Sequence, residues 1–292
     1  MARKERGAVV ITGASTGIGR ATALELERRG HRVFAGVRRR ADADSLVQAS
    51  AGDGLVPITL DVTKDRSIAA ARRKVQRAVG KRGLAAVVNN AGIGIAGAIE
   101  HLPVSEFRRV IEINLTGQYA VTQAFLPLIR RGGGRVLFVG SIGGRVASPF
   151  MSAYSASKFG IEGMADSLRR ELNPWGIHVV VVEPGSIATP IWGKGAEVYD
   201  ARRPSSEERR LYGKQLEAMR EAIMETAERG IEPEAVAKVI ARAIRRRRPR
   251  TRYLVGTDAR AGRAMSRLVS DRTLDRLLRR RLKLPDEAPP AR

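Results

Sequence analysis

The sequence predicts an α/β fold: a doubly wound, mostly parallel sheet of seven strands with an inserted lid and a C-terminal helical extension. Short apolar runs alternate with longer amphipathic runs from residue 8 to about residue 183, which is the order of repeated βαβ units. A glycine-rich turn follows the first apolar run directly. The 292 residues are 43% hydrophobic, so the chain is long and apolar enough for one large domain, expected to span residues 1–292.

The strands and helices follow from these runs. Strands are predicted at residues 8–12, 31–37, 55–60, 84–89, 135–140, 178–183 and 252–255. Helices are predicted where apolar residues recur every three or four positions, at about 18–29, 66–79, 104–130 and 154–172.

Two segments do not fit the alternation. Residues 189–230 combine a Gly- and Pro-containing stretch with a charged helical run that is too long for a simple connection, so we expect a substrate lid there. Residues 257–284 are expected to form the helical extension, as two short basic helices at about 259–269 and 271–283. The proline-rich residues 285–292 are expected to be disordered.

The chain is strongly basic, with 53 Lys and Arg against 30 Asp and Glu and a net charge of +23. Such an excess favours nucleic acid, anionic lipid or acidic proteins as partners. Aromatic residues make up only 4% of the chain and offer few stacking platforms, so we expect no nucleic acid partner. The C-terminal helices are expected to pack on the domain. Peripheral membrane contact is the less favoured alternative, because each helix carries only three or four large apolar residues.

Some kinds of chemistry are not expected. The chain has no cysteine and only three scattered histidines, so it lacks disulfides and a metal-binding pattern. It shows neither an apolar run of the ~18 residues that a membrane span needs nor the apolar start of a signal peptide, so we expect a cytoplasmic protein.

The glycine-rich turn predicts a phosphate site. It reads Thr12-Gly13-Ala14-Ser15-Thr16-Gly17-Ile18-Gly19 and stands between the first strand and the first helix. Glycines let the backbone approach a pyrophosphate, and the helix N-terminus presents free N–H groups to it. A Rossmann-like nucleotide site is therefore expected.

The end of the second strand indicates which nucleotide binds. A carboxylate would be expected there if the ribose carried a free 2′-hydroxyl, but the sequence has Arg38 followed by two further arginines. A guanidinium suits a 2′-phosphate and is worth about 1.5–3 kcal/mol in a charge-assisted bond. NADP is therefore expected, and NAD is less favoured.

A possible acid/base group lies farther along the chain. Tyr154 and Lys158 are four residues apart at the start of a predicted helix, so they share one face. A cation about 4 Å from the phenol can lower the tyrosine pKa by about 3 units. Ser141 follows an apolar strand, at the edge where open α/β sheets bind ligands.

Together these motifs resemble the short-chain dehydrogenase/reductase family. The matches run in order from residue 8 to residue 189: T-G-x-x-x-G-x-G at 12–19, Asn89-Asn90-Ala91-Gly92, Asn114, Ser141, Tyr154 with Lys158, and Pro184-Gly185. The strand and helix pattern continues to about residue 256.

The resemblance implies a role for each catalytic residue. Tyr154 would exchange a proton with the substrate oxygen, and Ser141 would hydrogen-bond that oxygen. Lys158 would hold the nicotinamide ribose and lower the tyrosine pKa. Asn114 would position a water in a proton relay, although a buried polar residue at a helix kink is an alternative reading of the same position.

The resemblance also implies the cofactor contacts. Ser15 would share the 2′-phosphate with Arg38, and Asp61 with Val62 would meet the adenine, although Asp61 could instead cap the next helix. The expected cofactor-binding residues are Gly13, Ser15, Thr16, Gly17, Ile18, Gly19, Arg38, Asp61, Val62, Asn89, Ala91, Gly92, Tyr154, Lys158, Pro184, Gly185, Ile187 and Thr189.

The substrate is expected to be a small lipophilic secondary alcohol or ketone. Its predicted walls at 93–96, 143–144, 150–151 and 190–192 are mostly apolar, and the long lid resembles the steroid and retinoid branch. The family also implies homodimers or homotetramers through 104–130 and 154–172. Two alternatives stay open: a β-ketoacyl thioester reductase acting on a carrier protein, and a non-catalytic NADP-binding module that docks on nucleic acid or lipid through its basic tail.

Overall fold

The fold is organised by a seven-stranded sheet whose neighbouring strands all pair in parallel over the described part of the chain. The computed structural model describes residues 6–201, 204–282 and 284. The strands are β1 (Ala8–Ile11), β2 (Arg32–Val37), β3 (Leu55–Thr59), β4 (Ala86–Asn89), β5 (Arg135–Val139), β6 (His178–Pro184) and β7 (Arg252–Val255). Their order, β3-β2-β1-β4-β5-β6-β7, confirms the predicted Rossmann-like fold class.

Helices cover both faces of this sheet. They are α1 (Gly17–Arg28), α2 (Arg40–Gln48), α3 (Asp65–Val79), α4 (Val104–Ile111), α5 (Gly117–Gly132), α6 (Ser152–Glu171), α7 (Ile191–Ala201), α8 (Ser206–Glu228), α9 (Pro233–Arg245), α10 (Thr257–Leu268) and α11 (Asp271–Arg281). The sequence analysis does not predict α2 and α9. In α9 the signal is present, because Val236, Ile240 and Ile244 recur at helical spacing and are buried.

The core lies on both sides of the sheet because successive strand residues point to opposite faces. In β1, Val10 packs into one cluster with residues of α3, α5 and α6, while Val9 and Ile11 pack into the other with residues of α1 and α9. Both faces are buried, which is why the strands read as continuous apolar runs.

The helix predicted at 104–130 is present as one continuous helical run, but its winding changes in the middle. The structure has α4, then a π-helical turn at Glu112–Thr116, and then α5. Asn114 lies in this turn, fully buried, and its side chain exchanges hydrogen bonds with the backbone of Ile93 on a neighbouring loop. This tertiary contact accompanies the local change in helix winding.

The predicted lid segment, 189–230, contains α7 and α8. The C-terminal extension forms α10 and α11, close to the predicted bounds. Residues 285–292 lie outside the described residues. No helix in the described ranges is long and apolar enough to cross a membrane.

The strand order creates a crevice above β1 and β4. The chain adds β2 and β3 on one side of β1, then crosses over to place β4 on the other side. Loops that leave the carboxyl ends of β1 and β4 therefore diverge, and open α/β sheets bind ligands at this point.

Candidate active site

A cavity of about 670 Å³ occupies this crevice. It brings together most of the residues that the sequence analysis selected. They are Gly13, Ser15, Thr16, Gly17, Ile18, Arg38, Asp61, Val62, Ala91, Gly92, Ser141, Tyr154, Lys158, Pro184, Gly185, Ile187 and Thr189. Three selected residues, Gly19, Asn89 and Asn114, do not line it.

The turn after β1 forms one end of the cavity, and side chains would not fit into it. A Cβ atom on Gly13 would lie 2.8 Å from the Cα of Ala91, and one on Gly19 would lie 2.1 Å from the carbonyl oxygen of Gly13. Gly13 and Gly17 also have positive φ angles, 64° and 52°. Thr16, the N-cap of α1, makes no side-chain cap hydrogen bond. The bare backbone and open helix start fit a pyrophosphate.

Arg38 and Asp61 lie beside this turn. Arg38 extends from the end of β2 and is exposed. Asp61 accepts hydrogen bonds from the N–H (3.0 Å) and the hydroxyl (2.8 Å) of Thr63. Burial raises the pKa of Asp61, but these two bonds and the charge of Arg38 outweigh it, so the net pKa is lowered. Arg38 therefore contributes positive charge where a 2′-phosphate would lie.

The asparagines after β4 have different positions. Asn89 is fully buried and donates to the Thr122 hydroxyl at 2.8 Å, away from the cavity. Asn90, a member of the predicted motif at 89–92, lines the cavity, and its side chain donates to the carbonyls of Thr12 and Gly13, each at 3.0 Å. Asn90 thus ties the loop after β4 to the glycine-rich turn. In the sequence, the position of Asn90 within the motif at 89–92 indicates that it lies near the cofactor.

Asn114 acts on the cavity indirectly. Its side-chain amide donates to the Ile93 carbonyl at 2.9 Å and to the Ser157 hydroxyl at 3.0 Å, and its oxygen accepts from the Ile93 N–H at 2.8 Å. The Ser157 hydroxyl donates to the carbonyl of Tyr154 at 2.7 Å. Asn114 therefore links the cavity loop to the backbone of α6. The relay role suggested by the family remains a prediction.

Ser141, Tyr154 and Lys158 meet at the other end of the cavity. The first turn of α6 places Tyr154 and Lys158 on one face, and Ser141 follows β5. The Lys158 ammonium lies 5.5 Å from the centre of the phenol ring and donates to the Val139 carbonyl at 2.9 Å. The Ser141 hydroxyl accepts a hydrogen bond from the Gly143 N–H at 3.0 Å. These contacts hold all three side chains in fixed positions.

The pKa values in this cluster follow burial. Burial lowers the pKa of Lys158 to about 8, against the opposing charge of Glu162. Burial also raises the pKa of Tyr154, and a hydrogen bond with Ser141 acts in the opposite direction. The sequence analysis expects Lys158 to lower the tyrosine pKa. The pKa of Tyr154 is instead raised, because desolvation of the buried phenol is the largest contribution.

A network of buried ions lies behind the cluster. Arg145 pairs with Glu162 on α6 and also with Glu183 on β6, at 2.9 Å. Arg252 on β7 bonds Glu162 at 2.8 Å and Asp166 at 3.0 Å. Burial and the neighbouring Glu183 raise the pKa of Glu162 to about 7, although Arg252 and Arg145 oppose this. The network joins α6, which carries Tyr154 and Lys158, to the last two strands.

Trp192, at the start of α7, closes the cavity over Tyr154. Their ring centroids are 5.1 Å apart in an edge-on arrangement. A Cβ on Gly94 would lie 2.6 Å from the indole, so a larger residue there would displace the ring. Trp192 also lines a second cavity of about 330 Å³ beneath α8, whose walls include Leu216 and Ile223.

The C-terminal extension packs on the same edge of the sheet. Asp258 in α10 accepts hydrogen bonds from the N–H (2.6 Å) and the hydroxyl (2.7 Å) of Ser186. Gly262 lies close to Ile142, beside Ser141. Leu282, at the end of α11, packs against the cluster that contains Tyr154 and Trp192. α11 itself has no buried residue over its described length.

Comparison with known proteins agrees with this geometry. The family model for short chain dehydrogenases matches residues 7–199. The chain belongs to the short-chain dehydrogenase family. Like its relatives, this short-chain dehydrogenase is an oxidoreductase of the NAD(P)-dependent type.

The relatives are similar over most of their lengths. An NADPH-dependent 3-dehydrocapnine reductase of Ornithobacterium rhinotracheale is 32% identical, over 94% of this chain and 96% of its own. Human retinol dehydrogenase 16 is 38% identical, over 86% of this chain and 81% of its own. The crystal structure of a short-chain dehydrogenase from Streptomyces avermitilis is 29% identical, with a TM-score of 0.76 and 94% coverage of both chains. The retinoid relative is consistent with the expected branch.

Proposed function

We propose that this short-chain dehydrogenase transfers a hydride between NADP and a lipophilic secondary alcohol or ketone, with Tyr154 as acid and base. One observation carries the proposal. The Ser141, Tyr154 and Lys158 cluster lies in the same cavity as the glycine-rich turn and Arg38, and Trp192 lies directly over it.

NADP is favoured over NAD by the charge at the adenosine end of the cavity. Arg38 lies at the end of β2. A protein that binds a free ribose 2′-hydroxyl would carry Asp or Glu at this position instead. The matched reductase named as NADPH-dependent is consistent with this choice. NADPH, when bound, supplies the hydride.

The protein side chains provide the proton and the orientation. Burial raises the pKa of Tyr154, so the phenol is protonated at neutral pH and can donate its proton to a ketone oxygen as that oxygen gains charge. Ser141 would donate a hydrogen bond to the same oxygen. Lys158, charged below about pH 8, would hold the ribose hydroxyls. Reduction is thus the direction for which Tyr154 starts in the correct protonation state.

The second cavity supports a lipophilic substrate. Trp192 lines both this cavity and the cofactor cavity. The walls of the second cavity combine apolar residues with charged ones: Ala96, Leu216, Ile223 and Met224 with Asp200, Arg209, Glu217 and Arg220. An apolar substrate body in this space would place its oxygen toward Tyr154 if Trp192 turned aside. The matched retinol dehydrogenase is named for a lipophilic alcohol, which is consistent with an apolar substrate body.

We also propose that two copies associate through the outer face of α4, α5 and α6. Phe107, Tyr119 and Phe159 are large, exposed side chains on these three helices. Large apolar groups in one region favour a protein interface. Sedimentation velocity should show a dimer or tetramer that is weakened by Tyr119→Arg with Phe159→Arg.

The direct test is NADPH oxidation measured with a panel of short ketones, long-chain ketones, steroids, retinoids and acyl thioesters. We expect the highest kcat/KM with a bulky lipophilic ketone. Activity confined to acyl thioesters would favour the carrier-protein reductase. Tight NADPH binding without turnover of any of these compounds would favour a non-catalytic module.

A further inference from the structure

The start of α7 lies across the mouth of the cofactor cavity. The methyl group of Thr189 is 3.0 Å from the point where a Cβ on Gly17 would lie. A Cβ on Gly195 would come within 2.2 Å of the Gly94 carbonyl oxygen. The chain is therefore packed against the glycine-rich turn on one side and the loop after β4 on the other. Lys194 lies between these two contacts and lines the cavity.

Lys194 and Arg38 are two cations of the same cavity. Both residues line the same space, one from α7 and one from the end of β2. Both also act on Asp42 in α2: the hydrogen bonds from Arg39 lower its pKa most, and the charges of Lys194 and Arg38 lower it further. Both cations therefore lie near the start of α2.

Neither cation is neutralised by a direct partner among the described residues. Both carboxylate oxygens of Asp42 are occupied by Arg39, at 2.8 and 3.0 Å. Arg38 and Lys194 make no ion pair or side-chain hydrogen bond within the part of the chain that the structure describes. A group with two negative charges and several acceptor oxygens can bind both of them at once.

We propose that Lys194 is a second ligand of the NADP 2′-phosphate and that, with Arg38, it ties α7 to β2 when the cofactor binds. NADPH would then hold the lid segment closed more firmly than NADH does. The inference rests on the proposed NADP preference, and it adds a residue of the lid to the determinants of that preference. The competing ligand is the pyrophosphate, which NADPH and NADH share.

Binding measurements distinguish the two phosphates. Lys194→Gln removes the charge and keeps the hydrogen-bonding side chain, and Lys214→Gln in α8 is the matched control because Lys214 is exposed and lines neither large cavity. Calorimetry with NADPH, NADH and adenosine 2′,5′-bisphosphate should show that Lys194→Gln weakens the binding of NADPH and of the bisphosphate about fivefold. NADH binding should stay within about twofold. Lys194→Arg should keep the wild-type affinities.

Hydrogen exchange of α7 gives a readout that does not depend on turnover. NADPH should slow exchange across Ile191–Ala201 more than NADH does in the wild type and in Lys214→Gln, and this difference should disappear in Lys194→Gln. If Lys194→Gln weakens the binding of NADPH and NADH equally, Lys194 binds the pyrophosphate and the proposal is wrong. Unchanged NADPH binding in Lys194→Gln would also overturn the proposal. If the wild type binds NADH as tightly as NADPH, the proposed NADP preference itself fails, which is a distinct result.

Discussion

The indole of Trp192 stands edge-on against the phenol of Tyr154, with 5.1 Å between ring centroids. Trp192 therefore occupies the space in front of the proposed acid and separates two cavities that together would hold a cofactor and a bulky substrate. The size of this side chain should control which substrates reach Tyr154.

Trp192→Ala should join the two cavities and favour large substrates. We expect the ratio of kcat/KM for a bulky ketone to that for a short ketone to rise about tenfold, the usual scale for a change in apolar pocket shape. The other tryptophan, Trp175, is exposed and distant from both cavities, so Trp175→Ala is the control. Equal losses with both ketones would show that Trp192 is only a packing residue.

Tyr154→Phe should separate catalysis from binding. It removes the proton donor but keeps the ring that packs against Trp192, so NADPH affinity should change little while kcat falls about 10²- to 10⁴-fold. Stopped-flow turnover and fluorescence titration with NADPH measure the two quantities. Tyr253→Phe, in β7 and outside both cavities, should leave both unchanged. A fully active Tyr154→Phe enzyme would remove Tyr154 from the mechanism.

Arg38→Asp should reverse the cofactor preference. The wild type should bind NADPH at least about tenfold more tightly than NADH, and the aspartate should repel the 2′-phosphate and accept a ribose hydroxyl instead. Arg40→Asp introduces the same charge change two residues later, at a position that does not line the cavity. If Arg40→Asp alters the ratio as much as Arg38→Asp does, only the overall charge matters.

NADPH affinity should depend on pH through Lys158. Burial lowers the pKa of Lys158 to about 8, so the unliganded protein loses this positive charge as pH rises above that value. An ammonium that holds the ribose binds best when protonated, so the Kd for NADPH should increase up to about tenfold per pH unit above pH 8. Titrations of wild type and Lys158→Met between pH 7 and 9.5 test this. The same slope in both proteins would assign the titration to another group.

Two truncations should separate the roles of the C-terminal helices. Ending the chain after Gly256 removes the hydrogen bonds of Asp258 to Ser186 and the packing of Gly262 on Ile142, which together are worth about 2–3 kcal/mol. The Tm should fall by about 3–5 °C. Ending it after Val269 should leave the Tm nearly unchanged but raise KM for bulky ketones, because Leu282 leaves the cluster around Trp192. A large Tm loss in the longer form would mean that α11 is a structural element.

The strands and the main catalytic cluster could be predicted because their signals are local. Apolar runs define β1 to β7, and the spacing of Ser141, Tyr154 and Lys158 places them at one edge of the sheet. A helix kink at Asn114 was one reading of the sequence, but its partner Ile93 could not be predicted because the two residues lie on separate segments.

The position of Trp192 over Tyr154 was missed for a similar reason. It depends on Gly94, almost a hundred residues away in the chain, and on how α7 packs against the loop that contains this glycine. The pairing of Glu162 with Arg145 and Arg252 is equally invisible to periodicity, since each of the three residues reads as a surface charge on its own element. The raised pKa of Tyr154 also depends on burial, which residue spacing alone does not show.

The bond from Arg252 to Glu162 links the active site to the order in which a ribosome makes the chain. The nucleotide-binding strands emerge first, and β7, which carries Arg252, emerges last of the seven. Without β7, Arg145 is the one arginine of this network that pairs with Glu162 and Glu183, beside the helix that holds Tyr154 and Lys158. A chain without β7 would therefore lose one of the two guanidinium groups that support the helix carrying the acid/base pair, although the glycine-rich turn lies at the opposite end of the sequence.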